Sequence, residues 1–293
     1  MYSEFLPSQT PLFYANNCDR YQRQEWIKKI EELTGRKVLI YIANHNHPLS
    51  SITRDDLLPF YDILYDIRPD CQDDVDLIVH SPGGDPNAAE LIVNSILSKA
   101  KSFRVIVPLM AKSAATMMCL AADEIVMSDS SELGPIDPQI PIRQPSGIVE
   151  YRPAIAFLKG IEKIKEEAEQ KGLNPVYIPI LQGIDPAFLT SCEQAINFTR
   201  DLGEKWLLRS MCKDNPKKAA EIVSQLLDID KYPNHGQVIN YEEARQIGLK
   251  VEYIKFDSDL WQLIWRLTVI YQNELRTKQL VKIFESRNYS AVI

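Results

Sequence analysis

The sequence predicts an α/β fold built on parallel strands, and three observations carry that prediction. Between Asp76 and Met127 short apolar strands alternate with short helices, a pattern that calls for right-handed parallel crossovers. Two turns in that stretch, Ser81-Pro82-Gly83-Gly84-Asp85 and Ala111-Lys112-Ser113-Ala114-Ala115, each follow a strand and open a helix, which is where parallel sheets hold their ligands. From Arg152 to Leu227 the spacing turns helical, which adds a helical layer or lid to the sheet.

Taken in order, Met1 to Arg20, with Pro7, Pro11, Asn16 and Asn17, reads as an irregular arm. Gln22 to Leu33 has helical spacing closed by Thr34-Gly35, and Lys37 to Ala43 is a strand without a polar face. Thr53 caps a helix that opens with Asp55 and Asp56, both favourable at a positive helix end, and runs on through Ile67. Strands follow at Asp76 to His80, Phe103 to Pro108 and Glu124 to Met127, with helices at Pro86 to Lys99 and Ala114 to Ala122. Pro86 marks a first helical turn, where a missing N–H costs nothing.

Ser130 to Arg143, rich in Gly and Pro, reads as irregular loop. Helices are expected at Arg152 to Lys171, Pro186 to Met211 and Pro216 to Leu227, then turn residues from Asp228 to Gly236. A short helix at Tyr241 to Ile247, a strand at Val251 to Phe256 and one helix from Trp261 to Phe284 complete the reading. The chain thus divides into an arm at 1–22, a main domain at 23–256 with its helical layer at about 152–227, and a C-terminal helical tail at 257–293.

Several function classes are disfavoured by composition. The net charge of -7 comes with no basic block, so no nucleic-acid partner is expected. Neither a basic leader nor an uncharged apolar run of membrane length is found, so no membrane span is expected. Cys18, Cys71, Cys119, Cys192 and Cys212 are odd in number and form no C-x-x-C pair, which fits a reducing cytoplasm. His45 and His47 form an H-x-H pair without a third ligand, and no metal is assigned to them. No G-x-G-x-x-G follows a strand and no lysine has a pyridoxal context, so no cofactor is expected.

The two turns carry the chemistry. Adjacent glycines let backbone N–H groups converge on one point, although Gly83-Gly84 also reads as a plain tight turn. Ser113 reads either as a helix N-cap or as a hydroxyl beside the N–H of Ala114, where developing negative charge is stabilised. A serine needs a base. His80, Lys112, Lys159, Lys165 and His235 are the candidates, and Lys165 falls on the apolar side of its helix, where burial lowers an amine pKa.

H-S-P-G-G-D (80–85), V-P-L-M-A-K-S-A-A-T-M-M-C-L-A-A-D-E-I-V-M (107–127) and E-L-G-P-I-D-P-Q-I (132–140) resemble the serine dehydrogenase proteinase family, relatives of the Clp-type and signal peptide peptidase A proteases. Y-E-E-A-R-Q-I-G-L-K-V (241–251) is similar to a later segment of that clan. The resemblance implies a ClpP/crotonase-like superhelix of β-β-α units, assembled as a homo-oligomer. It makes Ser113 the nucleophile and gives the oxyanion N–H groups to Ala114 and the Gly83-Gly84 turn. Clan members with a Ser-His-Asp triad carry histidine where this chain has Ile136-Asp137-Pro138, and Ser-Lys members take lysine from a loop that here offers only Arg152. His235 lies near the clan's aspartate position and ranks first as base, ahead of Lys159 and Lys165. Ala115 stands where the family often has glycine, which would narrow the cleft.

The resulting expectation is a cytoplasmic serine peptidase acting on extended or unfolded segments. A peptide-binding scaffold without a base, or acyl-thioester chemistry that uses only the two N–H groups, are the alternatives.

Overall fold

The computed structural model describes residues 10–68, 70, 72–143 and 146–293. The first nine residues of the expected arm and Cys71 lie outside the described residues.

The N-terminal segment is helical where an irregular arm was expected. Helix α1 (Pro11–Asn16) has Pro at its first turn and Thr10 accepting from the N–H of Phe13, and α2 (Cys18–Thr34) follows at once. Gly35 at φ +69° ends α2 in the left-handed region. Strand β1 (Lys37–Ala43) is buried on both faces: Leu39, Tyr41 and Ala43 enter one core, and Val38, Ile40 and Ile42 the other. Thr53 and Asp56 form a capping box, after which α3 (Leu57–Ile63) leads to β2 (Asp73–His80).

Helix α4 (Pro86–Leu97), β3 (Ala100–Ile106), β4 (Met110–Ala111), α5 (Ala114–Leu120) and β5 (Glu124–Met127) form the expected alternation. The stretch read as loop contains β6 (Glu132–Leu133) and β7 (Gln139–Arg143), and β7 pairs antiparallel with β8 (Val149–Pro153). The helical layer comprises α6 (Ala154–Lys171), α7 (Ile178–Gln182), α8 (Pro186–Arg209) and α9 (Pro216–Leu227). Next come α10 (Tyr241–Ile247), ended by Gly248 at φ +110°, and β9 (Val251–Tyr253).

The last segment corrects the sequence reading. Helix α11 (Asp259–Thr277) stops short, Gln279 takes φ +55°, and β10 (Lys282–Ser286) and β11 (Ser290–Val292) return to the sheet. The sheet order is β11-β10-β1-β2-β3-β5-β9; β1, β2, β3, β5 and β9 run parallel, and β10 lies antiparallel to β1 and to β11.

Two cores flank this sheet. One packs α3, α4, α5, α8 and α9 on one face, and the other packs α2 and α11 on the opposite face. The result is a mixed α/β fold with a central, mostly parallel sheet. No helix among the described residues is long and apolar enough to cross a membrane.

Candidate active site

The site lies at the C-terminal ends of β2 and β3, where the main sheet gives way to a second, smaller set of strands. Ser81 donates its N–H to Met110 O (3.1 Å) and accepts from Lys112 N–H (3.1 Å), which sets the two turns side by side. A Cβ at Gly83, φ +95°, would lie 2.5 Å from Lys112 O and 2.7 Å from Ser113 Cβ; at Gly84, φ +150°, it would meet Ile52 N at 2.3 Å. Only glycine fits either position. Ile52 N–H donates to Gly83 O (2.7 Å) and Asp85 N–H to Ile52 O (2.8 Å), bracing the turn from behind.

Ser113 takes φ +52°, ψ −119°, a region costly for a residue with a Cβ. It stands at the N-cap of α5 and its carbonyl accepts from Met117 N–H (3.0 Å), but its side chain makes no capping hydrogen bond. Such strain at a strand-to-helix turn aims a hydroxyl outward. Gly83 N–H is taken by Ser81 Oγ (3.1 Å). The N–H groups of Gly84 and Ala114 find no acceptor among the described residues. Ala115 is fully buried in the larger core.

Two further segments lie beside these turns. β6 runs parallel to β4, and Leu133 exchanges hydrogen bonds with Ile239 (2.9 and 3.1 Å). The Thr116 hydroxyl donates to Ala111 O (2.7 Å) and accepts from Gly134 N–H (3.1 Å), which ties this segment to α5. Asp137, 2% exposed, follows, and its two carboxylate oxygens are both engaged. His235 Nδ1 lies 2.7 Å from Oδ1, and Gln139 Nε2 donates to Oδ2 at 2.5 Å. With Nδ1–H donated to the carboxylate, the lone pair of His235 sits on Nε2.

The structure therefore joins His235 to Asp137, a partner the sequence reading had noted only as the residue standing where the clan has histidine. The sequence reading held both residues, Asp137 where the resemblance implied a histidine and His235 near where it implied an aspartate, without pairing them.

The remaining candidates are placed elsewhere. Lys159 pairs with Asp230 (2.5 Å), both well exposed. Lys165 is exposed and pairs with Glu162, whose hydrogen bond raises its pKa, so the depressed pKa expected from an apolar face is absent. His80 is buried at the end of β2; its Nδ1 accepts from Met110 N–H (3.4 Å), and its Nε2 lies 3.1 Å from Nδ1 of His45. Burial, with His45 adding to it, pushes its pKa down to about 3 and keeps the ring neutral. Lys112 is buried beside Ser113, and its ammonium donates to Leu133 O (2.9 Å) and Gln237 O (3.2 Å) and pairs with Glu132 (3.2 Å).

A family model described as ClpP-like SDH-type serine proteinase matches residues 19–290. An uncharacterised protein of Methanocaldococcus jannaschii is 30% identical over 208 residues, covering 71% of this chain and 62% of the relative. A second uncharacterised protein of that organism is 31% identical over 164 residues, 53% of this chain and 54% of the relative. The chain spans less than two thirds of the length of either relative.

Proposed function

The chain belongs to the ClpP-like SDH-type serine proteinase family, and on that premise we propose that it hydrolyses peptide bonds with a Ser113–His235–Asp137 triad. The observation that carries the reading is the 2.7 Å hydrogen bond between His235 Nδ1 and buried Asp137. In this reading it holds the imidazole in the tautomer that leaves the Nε2 lone pair free to act as a base.

In the proposed reaction Ser113 Oγ attacks the substrate carbonyl and passes its proton to His235 Nε2. Asp137 stabilises the imidazolium. The free N–H groups of Ala114 and Gly84 receive the oxyanion, and Gly84 is preferred to Gly83 because the N–H of Gly83 is already donated to Ser81. His235 then gives the proton to the leaving amine, and water repeats the sequence on the acyl-enzyme.

Extended or unfolded peptides are the proposed substrates, since an open backbone edge recognises main chain without demanding a sequence. We place the protein in the cytoplasm, in keeping with the unpaired Cys18, Cys119, Cys192 and Cys212. A homo-oligomer is supported by the connection between α6 and α8, where Leu173, Val176, Ile178 and Ile180 are all exposed.

The test is capture by a fluorophosphonate, read by intact mass. One adduct on the unaltered protein, lost in Ser113→Ala and in His235→Ala, is expected. An adduct that survives His235→Ala would remove histidine from the reaction, and no adduct on the folded protein would refute the peptidase reading.

A further inference from the structure

Lys112 is a buried cation with no role in the reaction as proposed. Its side chain is 8% exposed, and an ammonium has three N–H donors and no acceptor. Leu133 O, Gln237 O and Glu132 Oε2 take all three, at 2.9, 3.2 and 3.2 Å. Leu133 stands four residues before Asp137 and Gln237 two after His235. We propose that Lys112 is a positioning residue whose ammonium locks the Asp137 segment to the His235 segment, directly beside the serine it precedes. This rests on the triad reading.

Three observations favour this role over plain packing. Burying an ammonium is costly, and an apolar side chain of similar volume would fill the same space without that cost. Two of its three bonds go to main-chain carbonyls, one on each segment, so they fix backbones and not a partner side chain. Gly134 is shaped to the lysine stem: a Cβ there would lie 2.7 Å from Lys112 Cδ. Apart from this ammonium, the Leu133–Ile239 pair is the direct backbone link between the two segments among the described residues. Leu133 O accepts from Ile239 N–H and from the ammonium together, so the lysine reinforces that junction and carries it on to Gln237 O, beside the His235–Asp137 bond. Glu132, the charged group facing it, supports the ammonium, while desolvation lowers its pKa.

The experiment compares the full chain with Lys112→Met, Glu132→Gln, Ser113→Ala and His235→Ala. Amide hydrogen exchange and the rate of fluorophosphonate capture are measured on each, with kcat and KM on an unfolded-protein substrate. Lys112→Met is expected to raise exchange at residues 132–139 and 234–239 while leaving α4 and the central strands unchanged. Its kcat and capture rate should fall on the order of 100-fold, the scale of a 1 Å misplacement, with KM little moved. Glu132→Gln keeps an acceptor for the ammonium and should stay within about threefold of the parent, since it spares both backbone bonds.

Unchanged exchange in both segments, or capture at the parent rate, would overturn the proposal. Should Lys112→Met not fold, Lys112→Gln, with one amide for two carbonyls, is read in its place; loss of the fold in both makes Lys112 a core residue and also overturns it. If His235→Ala is captured at the parent rate, the triad reading fails instead, and the exchange data still decide whether Lys112 ties the two segments.

Discussion

Acid should unload this fold through His80, and the size of the effect follows from its burial. The ring is 1% exposed, and its pKa falls from 6.5 to about 3 because desolvation, and then His45, penalise the charged form. Between those two values the unfolded chain binds a proton that the folded chain refuses. Stability therefore rises with pH across the window, is complete above 6.5, and is lost as pH falls towards 3. At about 1.4 kcal/mol per pH unit, going from 6.5 to 5 removes about 2 kcal/mol, a large part of the 5–15 kcal/mol typical of a domain. Urea unfolding at fixed ionic strength, on the parent and on His80→Gln, isolates this contribution, because carboxylate titrations are common to both proteins and cancel in the difference. The parent should lose stability faster than the variant on acidification. Parallel curves from pH 7 to 4.5 would refute the claim that His80 is held neutral by burial.

Asp137→Asn should lower kcat/KM on the order of 10⁴-fold by favouring the wrong His235 tautomer while the fold stays intact, measured by peptide hydrolysis and thermal melting. Gly83→Ala forces a Cβ against Lys112 O at 2.5 Å with φ +95°, and should cost about 1–3 kcal/mol and fluorophosphonate capture together. Lys282→Met strands the fully buried Asp56, whose other oxygen accepts from Tyr41, and should destabilise by about 3–5 kcal/mol in denaturant titration.

The parts of the fold read correctly from sequence are those with a period or a punctuating residue. Lys37 to Ala43 has no polar residue after its first and is a strand buried on both faces; Pro86 and Gly248 mark a helix start and a helix end. Lys282 to Ser286 escaped because all five residues are buried, so no alternation betrays a strand, and Arg276 to Leu280 continues a helical spacing that the backbone abandons at Gln279. Thr10 and Pro11 did announce a helix, but Pro7, Asn16 and Asn17 outweighed them.

Of the candidate site, the two turns could be singled out because each follows a strand and opens a helix, although a glycine pair also serves as a plain turn and a serine as an N-cap. The His235–Asp137 pair could not be: a carboxylate in Gly134-Pro135-Ile136-Asp137-Pro138 has no spacing relation to a histidine that reaches it only through the tertiary fold. Lys165 misled because α6 packs against α8 through its first turns, at Ala154, Ile155 and Leu158, and an apolar stripe beyond that point buries nothing fully.

The position of β10 has a consequence for incomplete chains. β10 covers Leu39 to Ala43 of β1 along one ladder, and β1 is itself apolar on both faces. A chain ending before Lys282 would expose that strand as an open edge ready to pair with any extended neighbour. On that edge β1 is thus shielded by a strand made long after it, and chains cut short before Lys282 carry their own mark for aggregation or clearance.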